Sequence, residues 1–158
     1  MSITIRKPVE SEVPEILRLM RDFAEFEGLS EYLTITGEGL SKVIFGEGSF
    51  VESLIAVDGD EVISFAIFYP HFSSFRGQGG YYLEDIYIDR AFRGKRVGES
   101  MLKEIAKLGK ERGFERIDFQ VLDWNVAAID FYLGLGAICS DDDRHYKFTD
   151  DAFEDLAS

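Results

Sequence analysis

The sequence predicts a mixed α/β fold, and three observations lead there. Apolar residues recur at helical spacing in two stretches, residues 13–24 and 97–108. Between them lies a block of β-branched and aromatic runs broken by turn residues. Strand and helix patterns then alternate toward the end, so both element types belong to one sheet-and-helix architecture. The chain has 158 residues, of which 46% are hydrophobic and 14% aromatic. That suits a single domain over 1–158 with an ample core. No linker, repeat or low-complexity block divides it.

Taken in order, Ser2 to Arg6 alternates and reads as a first strand, broken by Pro8. Ser11 is the expected N-cap of the first helix. Pro14 fits its first turn, where backbone N–H groups lack helical partners anyway. Val13, Ile16, Leu17, Met20, Phe23 and Ala24 form its apolar stripe, and Gly28 ends it. A shorter helix is expected over Gly37 to Phe45. Phe50 to Val57 and Glu61 to Tyr69 read as strands joined at Asp58-Gly59-Asp60, a hairpin signal. Gly77, Gly79 and Gly80 mark a turn before the strand Tyr81 to Ile88. Val97, Met101, Leu102, Ile105 and Leu108 share one helix face, with Gly113 as C-cap candidate. Ile117 to Leu122 is a strand, and Ala127 to Leu133 a short helix ended by Gly134 and Gly136. Ala137 to Ser140 and His145 to Phe148 are expected as final strands.

The composition excludes several functions. The formal net charge is −13, whereas phosphate-backbone binding needs a basic surface, so nucleic acid is not expected as a partner. A negative field raises the local concentration of a cationic small molecule, although solubility alone would equally account for the charge. No secretory signal is visible at the start. No apolar run approaches the roughly 20 residues of a membrane-spanning helix. With Cys139 the one cysteine, no intrachain disulfide can form, and a cytoplasmic protein without membrane association is expected. Cys139 lies in an apolar run and reads as core. Trp124 and Phe131 are likewise read as packing residues. His71 and His145 read as surface histidines, and no metal-ligand spacing occurs.

Two segments carry the chemistry. Arg90, Arg93, Lys95 and Arg96 crowd into one turn between a strand and a helix, with Gly94 inside it and Gly98 closing it. Glycine lets backbone approach a ligand, and a helix start offers free N–H groups and partial positive charge. Together they suit a pyrophosphate, with arginine adding charge-assisted bonds; a solvated basic turn would look the same. Neither a Walker loop nor a dinucleotide fingerprint is present. Just upstream, Glu84 and Asp85 interrupt the apolar run Tyr81 to Ile88. On a regular strand they point to opposite faces. A buried carboxylate is costly unless paired, so the two need a reason. One is handling the proton of an attacking amine; the other is a place at an edge or a splayed strand end.

Further on, Trp124-Asn125, Phe131-Tyr132 and Gly136-Ala137 complete a pattern. With Tyr82-Leu83-Glu84-Asp85 and Arg93-Gly94-Lys95-Arg96-Val97-Gly98, the chain resembles the GCN5-related N-acetyltransferases, and among them the diamine and polyamine acetyltransferases. Leu17-Arg18-Leu19 and Glu25-Phe26-Glu27 look similar too, so the likeness covers nearly the whole length. The resemblance implies a mostly antiparallel sheet with helices on both faces and a splayed central strand pair. It implies acetyl-CoA as cosubstrate, its pantetheine arm pairing with backbone at Ile86, Tyr87 and Ile88 in the splay. Arg93, Gly94, Lys95, Arg96, Val97 and Gly98 would hold the pyrophosphate. Arg96 stands where the family has a loop glycine. Asn125 and Ala128 would meet the cofactor arm, and Tyr132 the thioester sulfur. Phe26, Glu27, Glu84, Asp85, Asp142 and Asp143 would face a small amine substrate. A homodimer is implied as well.

The chemistry then follows. A primary amine with a pKa of about 10 is mostly protonated at neutral pH and must lose a proton before it attacks. Glu84, directly or through water, is the candidate acceptor, and Tyr132 the candidate donor to the departing sulfur. Two alternatives stay open: a different acceptor, such as a thialysine-like amino acid, a protein N-terminus or an antibiotic amine, and a non-catalytic CoA-binding module.

Overall fold

A computed structural model describes residues 2–158. They fall into two compact units, residues 2–120 and 121–158. The first holds, in chain order, β1 (Ile3–Arg6), α1 (Val13–Phe26), α2 (Gly37–Phe45), β2 (Glu52–Asp58), β3 (Glu61–Ser73), β4 (Gln78–Ile88), α3 (Val97–Glu111) and β5 (Arg116–Phe119). The strands lie side by side in the order β1-β2-β3-β4-β5. The first three pairings are antiparallel and β4–β5 is parallel. The parallel step is reached through α3, the crossover that parallel neighbours require.

Each face of the sheet buries one apolar layer. On one side Val13, Ile16, Leu17 and Leu19 of α1 and Leu40 of α2 pack on Ile55, Val57, Val62, Phe65 and Tyr87. On the other, Val97, Met101 and Ile105 of α3 pack on Leu54, Ala56, Ile63, Phe68, Tyr81 and Leu83. β2 and β3 are covered on both faces, which explains their near-continuous apolar runs. Most helix boundaries follow local chemistry. Thr36 caps α2, its Oγ1 accepting from Gly39 N at 3.0 Å. The start of α1 corrects the expectation for Ser11: a short 3-10 turn over Glu10–Glu12 precedes the helix. There Glu12 reaches back to accept the Val9 N–H at 2.8 Å, and α1 itself begins without a side-chain cap.

The β strands run longer than their sequence patterns at the hairpin between β3 and β4, because Gly79 and Gly80 belong to the strand. A Cβ at Gly80 would stand 2.4 Å from the Arg116 carbonyl. The glycine therefore lets β5 come close.

The second unit contains α4 (Val126–Gly134) and α5 (Asp150–Ala157). The two final strands expected at 137–140 and 145–148 do not form, and α5 was not anticipated. A strand needs a neighbour for its N–H and C=O groups, and 137–149 has no ladder partner among the described residues. Apolar side chains there are open, Ile138 at 93% and Tyr146 at 83% exposure. Cys139 is exposed too, not core, and its thiol donates to Asp141 Oδ1 at 3.1 Å. Trp124 and Phe131 are likewise exposed, not buried packing residues. No helix among the described residues is long and apolar enough to cross a membrane.

Candidate active site

β4 positions the acids, and it does so by an irregularity. In its register with β3, Ile67 opposes Asp85 while Phe68 opposes Leu83, so Glu84 is an extra residue. This β-bulge breaks the strict alternation of faces. The expectation that Glu84 and Asp85 point apart holds only for a regular strand, and this strand is not regular. Glu84 is exposed and Asp85 half-buried. Burial pushes the Asp85 carboxyl up to about 7, helped by the charges of Glu84 and then Glu27. Glu27 follows the last residue of α1, and burial raises its carboxyl as well. Three carboxylates thus share one electrostatic neighbourhood.

Sequence reading missed the aromatic partners of this group. Tyr69 on β3 is the register partner of Tyr82 on β4, and their rings stack at 5.4 Å. The Tyr69 hydroxyl lies 3.5 Å from Glu84 Oε2, at the outer limit of a hydrogen bond. Both phenols are pushed up, first by burial and then by the Glu84 charge. His71 sits on β3, half-buried, with Nε2 3.7 Å from Asp118 Oδ2. The signal available in the sequence was the period-2 spacing of Tyr69 and His71, which puts them on one face.

β4 also runs past its neighbour. The parallel pairing with β5 covers Gly80 to Leu83 only. From the bulge onward β4 continues to Ile88 with no β5 partner among the described residues. The backbone of Ile86, Tyr87 and Ile88 therefore has no β5 partner in the ladder among the described residues. On the β3 side it is fixed, Ser64 Oγ donating to Tyr87 O at 2.8 Å.

Beyond β4, Asp89 caps a 3-10 turn over Arg90–Phe92, its side chain accepting from Ala91 N at 3.0 Å. The basic loop follows. Gly94 has φ 76° and Arg96 has φ 62°. Both are left-handed, a conformation that favours glycine and strains arginine. Arg96 is the N-cap position of α3 and supplies no side-chain cap. The first amides of α3 are thus left to an outside acceptor. Arg93 is exposed, but its head group is anchored. Its Nε donates to Ile88 O at 3.2 Å, and its guanidinium carbon lies 5.3 Å from the ring centroids of both Phe26 and Tyr87. Lys95 Nζ stands 5.2 Å from the Phe92 ring.

In the second unit, Asn125 is the N-cap of α4 and its Oδ1 accepts from Ala128 N at 3.3 Å. The pair expected to meet the cofactor arm is therefore joined by helix capping. Tyr132 lies on α4, half-buried, and burial pushes its phenol up to about 12. It keeps its proton at physiological pH. Asp142 and Asp143 are exposed in the irregular segment before α5.

A strand that outruns its parallel neighbour past a bulge, and a helix start without a side-chain cap beside a basic loop, are features that suit an acyltransferase. The family model of the acetyltransferase (GNAT) family matches residues 14–137, and the chain belongs to that family. It is an acetyltransferase with acetyl-CoA as cosubstrate. It is 33% identical to the thialysine N-epsilon-acetyltransferase of Bos taurus over 98% of this chain and 97% of that protein. It is 29% identical to the human spermidine/spermine N(1)-acetyltransferase-like protein 1, over 97% of this chain but 23% of the longer protein. Among solved structures, a Vibrio cholerae integron cassette protein superposes with a TM-score of 0.82 at 22% identity, covering 99% of this chain and 98% of that one. The residues present fit the cosubstrate: a stretch of β4 with no β5 partner for an arm, and a helix start without a side-chain cap beside basic side chains for phosphates.

Proposed function

We propose that the chain transfers acetyl to a primary amine of a small cationic substrate, diamine- or polyamine-like. The observation that carries this reading is the carboxylate group Glu27, Glu84 and Asp85 at the bulge. It attracts a cation, and one member holds its proton to about pH 7. The names of the relatives, acetyltransferases for thialysine and for spermidine or spermine, support it.

Acetyl-CoA supplies the activated acetyl group. Backbone of Ile86, Tyr87 and Ile88 pairs with its arm, and the backbone of the Arg93 to Gly98 loop, with the side chains of Lys95 and Arg96, holds its pyrophosphate. Asn125 and Ala128 serve the arm. Phe26, Glu27, Glu84 and Asp85 receive the ammonium group, with Asp142 and Asp143 as further acids on the acceptor's side. Glu84, exposed at the bulge, takes the amine proton directly or through water, and Asp85 beside it shares that proton. A carboxyl near 7 can both accept and release a proton at neutral pH, which an ordinary aspartate cannot do well. Tyr132 keeps its proton at that pH and donates it to the departing sulfur.

A thialysine-like amino acid is the second reading, favoured by the 33% identity to the bovine enzyme. A panel of amines assayed with acetyl-CoA across pH separates the two. It should include a diamine, spermidine, thialysine, an aminoglycoside and a peptide N-terminus. Turnover restricted to the peptide or the aminoglycoside defeats both readings. We also read the protein as a cytoplasmic homodimer. Exposed Ile138, Tyr146 and Phe148 support association, and light scattering in solution tests it.

A further inference from the structure

We propose that the Arg93 side chain positions the acceptor pocket, by holding the last turn of α1 against β4, instead of binding phosphate. The proposal rests on the reading of Phe26 and Glu27 as acceptor-facing residues.

The geometry has three parts. Arg93 Nε is fixed on the Ile88 carbonyl at 3.2 Å, which aims the guanidinium plane. That plane then meets two rings at equal distance, 5.3 Å from Phe26 and 5.3 Å from Tyr87. Tyr87 is only 5% exposed and stacks on Phe23 at 5.3 Å with 27° between the planes. Phe23, Tyr87, Arg93 and Phe26 thus form one cluster joining α1, β4 and the basic loop. A planar cation suits this place, because it can stack on aromatic faces and still donate a hydrogen bond from its edge.

The tether matters because α1 stops here. Glu27 is the C-cap, Gly28 turns left-handed at φ 70°, and Leu29 is exposed. Helix ends fray unless tertiary packing holds them. Phe26 and Glu27 are both only half-buried, and Glu27 is one of the charges that Asp85 feels. Arg93 therefore sets where the acceptor's acids and ring stand. The anion-binding role of the loop stays with the α3 amides, Lys95 and Arg96.

The test compares Arg93→Ala, Arg93→Lys, Phe26→Ala and the Arg93→Ala/Phe26→Ala double variant. Acetyl-CoA affinity is read by calorimetry, amine KM by initial rates, and amide exchange over residues 23–29 by mass spectrometry. Arg93→Ala should raise amine KM about tenfold, within the range of a stacked cation, and leave acetyl-CoA affinity within about twofold. Arg93→Lys should not restore amine KM, because an ammonium cannot fill the planar slot between two rings. The double variant should be no worse than the poorer single one, since both changes cut the same contact. Amides of the last α1 turn should exchange faster in Arg93→Ala. A loss of acetyl-CoA affinity equal to or larger than the loss of amine affinity, rescued by Arg93→Lys, overturns the proposal in favour of a phosphate ligand. If wild-type protein binds acetyl-CoA but acetylates no amine in the panel, the acceptor reading itself fails. Amide exchange then decides for Arg93 alone, and unchanged exchange overturns the tether.

Discussion

The strand β4 carries acids at its bulge and leads into bases just beyond its end, and the two regions are built in opposite ways. Asp85 is half-buried among like charges, and its carboxyl moves up to about 7. The loop from Arg93 to Gly98 is mostly exposed and owes its shape to two left-handed residues, Gly94 and Arg96. Burial and like charge tie the acidic region to pH. Backbone geometry ties the basic region to which side chain, or absence of one, occupies each φ. The acids should therefore answer to proton concentration and to charge removal, and the loop to glycine substitution.

The largest expected effect breaks the acidic region. Glu84→Gln should lower turnover by about 10²–10⁴-fold and weaken amine binding while leaving acetyl-CoA affinity unchanged. It should also move the acidic limb of kcat/KM to lower pH, because the Glu84 charge helps hold the Asp85 proton. Tyr132→Phe should lower kcat by a similar factor with little change in amine KM. Steady-state kinetics over pH 5–9 with calorimetric acetyl-CoA titration check all three statements. Wild-type kinetics in Glu84→Gln would leave its place at the bulge as the whole of its role.

A smaller effect separates stability from chemistry. The Asp85 carboxyl binds its proton more tightly in the folded chain than its ordinary value of 3.8 allows. Between about pH 4 and 7 the folded state holds a proton that the unfolded state has lost. Stability therefore falls as pH rises through that window and levels above it. Asp85→Asn removes the penalty. At pH 8 it should stabilise the protein by on the order of 2–4 kcal/mol, the lower figure allowing for solvent near exposed Glu84. Near pH 4 it should change little. Urea unfolding of both proteins at the two pH values decides the matter, and a gain that is equal at both would remove burial of charge as its cause. Activity should fall in the same variant that gains stability.

How much of this was legible in the sequence varies along the chain. The hairpin at Gly59-Asp60, the extent of α2 and the stripes of α1 and α3 were legible because local chemistry and periodicity agree there with the tertiary environment. The adjacent acids in an apolar run were legible as an anomaly, and the structure gives one of them, Asp85, a raised carboxyl. The bulge itself was not legible, since register depends on β3, a partner 17 residues away at Ile67. Arg93 read as a phosphate ligand because its loop has the right composition. That its side chain meets Phe26 depends on where α1 ends in space. Residues 137–148 misled most, because alternating apolar residues predict a strand only if another strand lies alongside.

The smallest effect tests the loop. Arg96 adopts φ 62° with a side chain that has no capping bond to offset the strain. The left-handed conformation costs a non-glycine residue about 1–2 kcal/mol. Arg96→Gly should relieve part of that, although glycine gives back roughly 0.5–1 kcal/mol through the greater freedom of its unfolded chain. A net gain of about 0.5–1 kcal/mol is expected, seen as a rise in Tm of about 1–4 °C. The effect on acetyl-CoA is separable. If Arg96 also contacts a phosphate, affinity should drop by about 1.5–3 kcal/mol even as the apoprotein becomes more stable. Calorimetric binding and thermal unfolding of the same variant then move in opposite directions. Higher Tm with equal or tighter binding would make Arg96 a tolerated replacement for glycine. Lower Tm would mean that the arginine side chain stabilises the loop by more than its backbone strain costs, and the account of the basic region as shaped by φ alone would fall.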